Sequence, residues 1–208
     1  MIGGSTGACC GMTETKRGAK GRSSLKAAPI AALDGQRVDR PTVVYAQDGC
    51  VMAHWKGISL VIWGTAATLP LVDELTRLAE SVASMYPRGS SVHLVINGAG
   101  PPTREARAAL WGLSKRAESR HVCTAACVEG NGFWASLIRS LVTSLDLVTG
   151  RRLKLRAFTD IEALADWLMP IHAEALGLDL SAADLVQALS WLRAHPAVSD
   201  QAAARSTG

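Results

Sequence analysis

No complete catalytic, metal-binding or phosphate-binding signature stands anywhere in the 208 residues. The direct route from motif to chemistry is therefore closed. The five cysteines are too scattered for a disulfide framework: Cys9 and Cys10 fall near the N-terminus, Cys50 lies beside a turn, and Cys123 and Cys127 share one apolar run. The N-terminal residues have no basic stretch leading into an apolar one, so no secretion or lipoprotein signal is expected ahead of those cysteines. Met12 offers a second place for translation to start. The longest apolar stretch, 58–72, is broken by Gly64, Thr65, Thr68 and Pro70, too interrupted to cross a bilayer. These absences lead to the expectation of a cytoplasmic protein without membrane association.

The body also lacks net charge. Seven of the 22 Lys and Arg lie in residues 1–40, against three of the 18 acidic residues, which gives that segment 7 − 3 = +4 and the remainder 15 − 15 = 0. The positive balance belongs to an N-terminal arm, residues 1–40, expected to be disordered because it has no apolar periodicity. The folded part carries no global basic field of the kind nucleic-acid binders use, so only the arm offers a basic contact.

The rest is dense with fold signals. Asp48-Gly49 supplies a positive-φ pair between Thr42–Tyr45 and Cys50–Trp55, which predicts a hairpin. Ile58–Trp63 reads as an interior strand. Leu71, Val72, Leu75, Leu78, Ala79, Val82 and Met85 recur at helical spacing after Thr68 and Pro70, predicting a helix stopped by Pro87-Arg88-Gly89. Three strand and helix pairs follow: Ser91–Ile96 with Thr103–Ser119, His121–Val128 with Phe133–Val148, and Leu153–Phe158 with Thr159–Leu168. Thr159 and Glu162 match a capping box. Pro170 is expected to break or bend its helix, and Ser181 with Asp184 opens another helix to about Ala194. The alternation predicts an α/β fold, a single mixed β-sheet with packed helices, over residues 41–170. A C-terminal helical extension at 171–195 and a disordered tail at 196–208 complete the expected layout.

Two loops stand at strand carboxyl ends, where open α/β sheets bind ligands. Asn97 to Arg107 holds two glycines, two prolines and two arginines, and Thr103 is placed to cap its helix or to accept a phosphate stabilised by Arg104 or Arg107. Gly130-Asn131-Gly132-Phe133-Trp134-Ala135 matches G-x-G-x-x-A between a strand and a helix. Its next post-strand acid, Asp160, lies 28 residues past Gly132 rather than the roughly 20 a dinucleotide site uses. A tight turn able to hold an anion is preferred, with no cofactor. His121, Cys123 and Cys127 invite a zinc reading. On one strand, however, the two thiols stand ~13 Å apart at about 3.3 Å per residue, beyond the reach of one metal. No metal site is expected.

With its strand order and the closing Phe158-Thr159-Asp160-Ile161-Glu162-Ala163-Leu164-Ala165-Asp166-Trp167-Leu168, the chain from about Thr42 to Leu168 resembles the anti-sigma-factor-antagonist (STAS) fold family, in particular its divergent SpoIIAA-like bacterial members. The resemblance implies a non-catalytic switch whose phosphoacceptor opens the helix after the middle strand, in an Asp-Ser-Ser-Gly motif. The matching stretch is Gly100-Pro101-Pro102-Thr103-Arg104-Glu105, in which Thr103 alone carries a hydroxyl.

The expected function is a non-catalytic regulatory domain that binds a protein partner through Pro101, Pro102, Thr103, Arg104 and Arg107. The alternative is a small-molecule binder, for an apolar ligand or an anion, or an enzyme, using the loops at the strand carboxyl ends, with Gly130, Asn131, Gly132 and Phe133 as its loop. A homodimer through the Leu185–Trp191 helix is a further expectation.

Overall fold

The computed structural model describes residues 40–117, 119–130, 136, 137, 139, 140 and 154–198. The basic arm up to residue 39, Asn131 to Ala135, most of the expected Phe133–Val148 helix and the tail from residue 199 lie outside the described residues.

Six strands form one sheet in sequential order: β1 (Thr42–Gln47), β2 (Cys50–Trp55), β3 (Ile58–Trp63), β4 (Gly89–Val95), β5 (His121–Val128) and β6 (Lys154–Phe158). The first three are antiparallel and β3 to β6 are parallel. Two tight turns make the antiparallel half. Asp48 and Gly49 have φ of 52° and 72°, and Lys56 and Gly57 have φ of 48° and 82°, the double positive-φ turn whose twist matches a hairpin. The mixed α/β sheet expected from the sequence is thus present.

Helices cover both faces. α1 (Leu69–Met85) and α2 (Arg104–Ala117) share one face, as successive right-handed crossovers adding parallel strands in one direction require. Leu71, Val72, Leu75, Leu78 and Val82 of α1 pack on Met52, Val61 and Trp63, whereas Met85 is exposed. α2 is lightly anchored: among its described residues only Ala106 is fully buried. α3 (Ile161–Leu176) and α4 (Ala182–Arg193) cover the other face, where Leu164, Leu168, Leu185, Leu189 and Leu192 pack over Ile58, Leu60, Ile62, Val92 and Leu94.

Three local details differ from the sequence reading. α3 is capped by Asp160, which accepts from the amides of Glu162 and Ala163, rather than by Thr159. α3 also runs through Pro170 to a left-handed Gly177. Pro170 and Asp166 both sit on the exposed side, so the carbonyl that the proline leaves unbonded faces water. Leu185, Leu189 and Leu192 of α4 face this core as read, and Trp191 is its exposed aromatic. Finally, Val198, expected in the frayed tail, is 3% exposed and closes the same core. The Ser181 and Asp184 capping box is present as read. Among the described residues no helix is long and apolar enough to cross a membrane.

Candidate functional site

At the carboxyl edge the structure gathers the loops singled out by sequence, but as a surface. Thr103 caps α2 by accepting from the amide of Ala106 at 3.2 Å, while its own amide donates to Ala67 at 3.0 Å. Pro101, Thr103, Arg104 and Arg107 are exposed and Pro102 is half-buried. Gly130 has φ of 87°, and a Cβ there would stand 3.0 Å from Asn97 Oδ1. The room this glycine leaves is therefore filled by the Asn97 side chain, which joins the two loops. Arg139 donates to the carbonyls of Val128 and Gly130 at 3.3 Å each, and Arg193 of α4 forms a bidentate pair with Glu129. Asn131, Gly132 and Phe133 lie outside the described residues.

A serine–histidine pair does exist, in the opposite layer. Ser90 Oγ lies 2.9 Å from His172 Nδ1, and His172 Nε2 donates to the Lys56 carbonyl at 2.9 Å. A carbonyl can only accept, so the proton is on Nε2, Ser90 donates to Nδ1, and the Cys123 thiol at 3.3 Å donates to Ser90. Ser90, His172 and Cys123 are 2%, 0% and 0% exposed. The chain of bonds ties α3 to the β2–β3 turn and to β4 and β5. Burial pushes the Cys123 thiol up, and pushes Cys50 up to about 12 and Cys127 up to about 11, so all three remain protonated thiols at neutral pH.

The zinc reading fails on geometry. Strand alternation would put His121 and Cys123 on one face, but the register slips from Gly89↔His121 to Ser91↔Thr124, three residues of β5 against two of β4. This bulge sends Val122 and Cys123 together into the α3 and α4 layer and leaves His121 on the α1 and α2 face. Among the described residues no cluster of three or more His, Cys, Asp or Glu is placed to hold a metal ion.

That bulge builds the feature sequence reasoning missed. Ser59, Ser91 and Thr124 are register partners across β3, β4 and β5, so three hydroxyls stand at one level under α1 and α2. His121 Nε2 lies 2.6 Å from Thr124 Oγ1 at the end of the row. Ser59, Ser91 and His121 floor a groove of about 280 Å³ walled by Ala79, Val82, Ala83 and Leu113, with Glu80, Arg116 and Arg120 at its mouth. Ser59 is 3% exposed, and among the described residues its hydroxyl has no hydrogen-bond partner. One rung deeper, His93 sits between Val61 and Ala126 and accepts from Trp63 Nε1 at 3.2 Å, with the two rings stacked. Burial, and for His93 also the neighbouring His121, lowers both imidazoles to about 4, while the Cys123 backbone opposes the fall for His121. Both are neutral at pH 7. The groove opens at the amino ends of the parallel strands, opposite to the loops the sequence favoured. The single signal for it was a serine inside an apolar strand.

No family model matches this chain, and no curated protein matches it. Among solved structures it is similar to an uncharacterised protein of the DUF3478 family with a SpoIIAA-like fold from Shewanella loihica PV-4. The identity is 14%, the TM-score is 0.43, and the match covers 64% of this chain and 99% of that one. SpoIIAA-like is also the fold that the strand order and the Phe158 to Leu168 ending resemble.

Proposed function

We propose that this chain is a non-catalytic binding domain that holds a small molecule in the groove beneath α1 and α2. The observation that carries this reading is Ser59: a hydroxyl buried without a partner costs about 1–3 kcal/mol, a cost a bound polar group would remove. The groove's size suits a small metabolite, and apolar walls with a few convergent polar groups are the usual composition of such sites. The Thr124 hydroxyl that meets His121 Nε2 is not among the residues lining the groove, and the Ser90–His172 side chains point into the other layer, so no nucleophile and base pair faces a bound molecule.

The test is a thermal-shift screen of metabolites on the wild type, on Ser59→Val, and on Ala83→Trp, which places an indole in the groove. At least one compound should stabilise the wild type by several degrees and neither variant. A compound that stabilises all three alike, or an extract that yields no ligand at all, overturns the reading.

A second reading concerns the other end of α2. The exposed Pro101, Thr103, Arg104 and Arg107 form a contiguous surface suited to a protein partner, at the helix start where the fold resemblance implies a switch residue. α2 thus runs from a candidate partner surface to the groove wall, and with Ala106 alone fully buried among its described residues it is the helix most easily repositioned by what lies beneath it. Arg104→Glu with Arg107→Glu should abolish every partner recovered with the wild type from its own cells; retention of all of them would remove this surface from consideration.

A further inference from the structure

Resting on the groove reading, we infer that the ligand is a short monocarboxylic acid that carries a hydroxyl or carbonyl at the end remote from its carboxylate. The two ends of the groove differ in the chemistry they offer. Inside, the Ser59 hydroxyl is buried and unpaired, and Ser91 beside it in register has no side-chain partner among the described residues. Hydroxyls in an apolar surround welcome a neutral polar group and penalise a charge, because neither brings a countercharge. At the mouth, Arg116 and Arg120 are exposed, and among the described residues neither forms an ion pair. Guanidinium groups are planar donors that match a carboxylate, and at the mouth the charge stays wet.

Glu80 stands on the same mouth from α1. Two positive charges and one negative leave a balance of one, which favours a monoanion and disfavours a second carboxylate. The carbonyl ends of α1 and α2 point to this edge as well, adding partial negative charge that the arginines offset and a dianion would meet. Between the ends, Ala79, Val82, Ala83 and Leu113 offer methyl groups, Tyr86 adds a ring, and the Thr76 hydroxyl is taken by the Val72 carbonyl, so the connecting chain is chiefly apolar. A volume of about 280 Å³ lies just under the range of roughly 300–1,000 Å³ typical of drug-sized ligand pockets, so the ligand is a small one.

Four probes of matched length separate these requirements: 6-hydroxyhexanoate, hexanoate, 1,6-hexanediol and adipate, titrated calorimetrically at pH 7 and low salt. The hydroxy acid should bind tightest. Hexanoate should be about tenfold weaker for want of the inner hydrogen bond, and the diol about ten- to hundredfold weaker for want of the charged one. Adipate should be weaker than both acids. Ser59→Ala should erase the advantage of the hydroxy acid over hexanoate, and Ser91→Ala serves as the second inner variant should Ser59→Ala melt early. Arg116→Gln with Arg120→Gln should erase its advantage over the diol. Equal binding of acid and diol by the wild type overturns the carboxylate assignment, and equal binding of hydroxy acid and hexanoate overturns the inner polar group. Failure of all four, while some other compound still binds in a manner blocked by Ala83→Trp, overturns the ligand class and leaves the groove reading standing. Failure of every compound overturns both.

Discussion

His93 and His121 give the fold a steep sensitivity to acid. Each imidazole has an ordinary value of 6.5 and is held at about 4 in the folded chain. Between these values the unfolded chain binds more protons than the folded one, so stability rises with pH there and falls as pH falls. Integrated from pH 7 to pH 5, each ring removes about 2 kcal/mol, and down to pH 4 about 3 kcal/mol. The pair therefore removes about 4 kcal/mol at pH 5, a large share of the roughly 5–15 kcal/mol that holds a domain together. His172, lowered chiefly by burial, acts in the same direction. Asp160, lowered first by Glu162 and then by the Ala163 amide, adds its loss only when pH drops through values below 3.8, outside this window. In urea, with a slope of about 2 kcal/mol per molar, the midpoint should fall by about 2 M between pH 7 and pH 5. His93→Gln keeps an acceptor for Trp63 and removes one titrating ring, so its midpoint should fall by about half as much. A variant whose midpoint drops as steeply as the wild type's would show that the His93 imidazole is not buried neutral beneath the helices.

Other consequences follow from the sealed relay and the loop junction. Ser90→Ala should lower stability by about 1–3 kcal/mol, because it strips Nδ1 of a fully buried imidazole of its donor; a denaturation midpoint equal to the wild type's would contradict the assigned tautomer. Gly130→Ala should destabilise by about 1–2 kcal/mol through positive φ and contact with Asn97. The contact part should vanish when Asn97→Ala is combined with it, and a double-mutant cycle with no coupling energy would deny that the two loops touch.

Much of the fold was legible because its determinants are local. Asp48-Gly49, the helical stripe of α1 and the Ser181 box each lie within a few residues of what they specify. The α3 cap was misplaced by one residue because Thr159 and Asp160 both offer an oxygen, and only the backbone path decides between them. The groove was not legible for the opposite reason. Ser59, Ser91 and Thr124 are neighbours solely through parallel pairing, and Ser59 sits in Ile58-Ser59-Leu60-Val61-Ile62-Trp63, which reads as an apolar strand with one polar exception. His121 drew attention for its spacing to Cys123, yet one extra residue in β5 placed it on the other face with a different neighbour.

That extra residue also divides β5 into two stretches that tolerate change differently. From Thr124 onward every position is locked in phase with β4 and β6, so any insertion or deletion there would turn the core inside out. Loss of a single codon at Val122 would instead restore plain alternation, leaving His121 beside Cys123 and still on the α1 and α2 face, with Thr124 to Val128 in step. The bulge is accordingly the one place in this strand where a residue can be lost while the groove floor and the core beyond it both keep their faces.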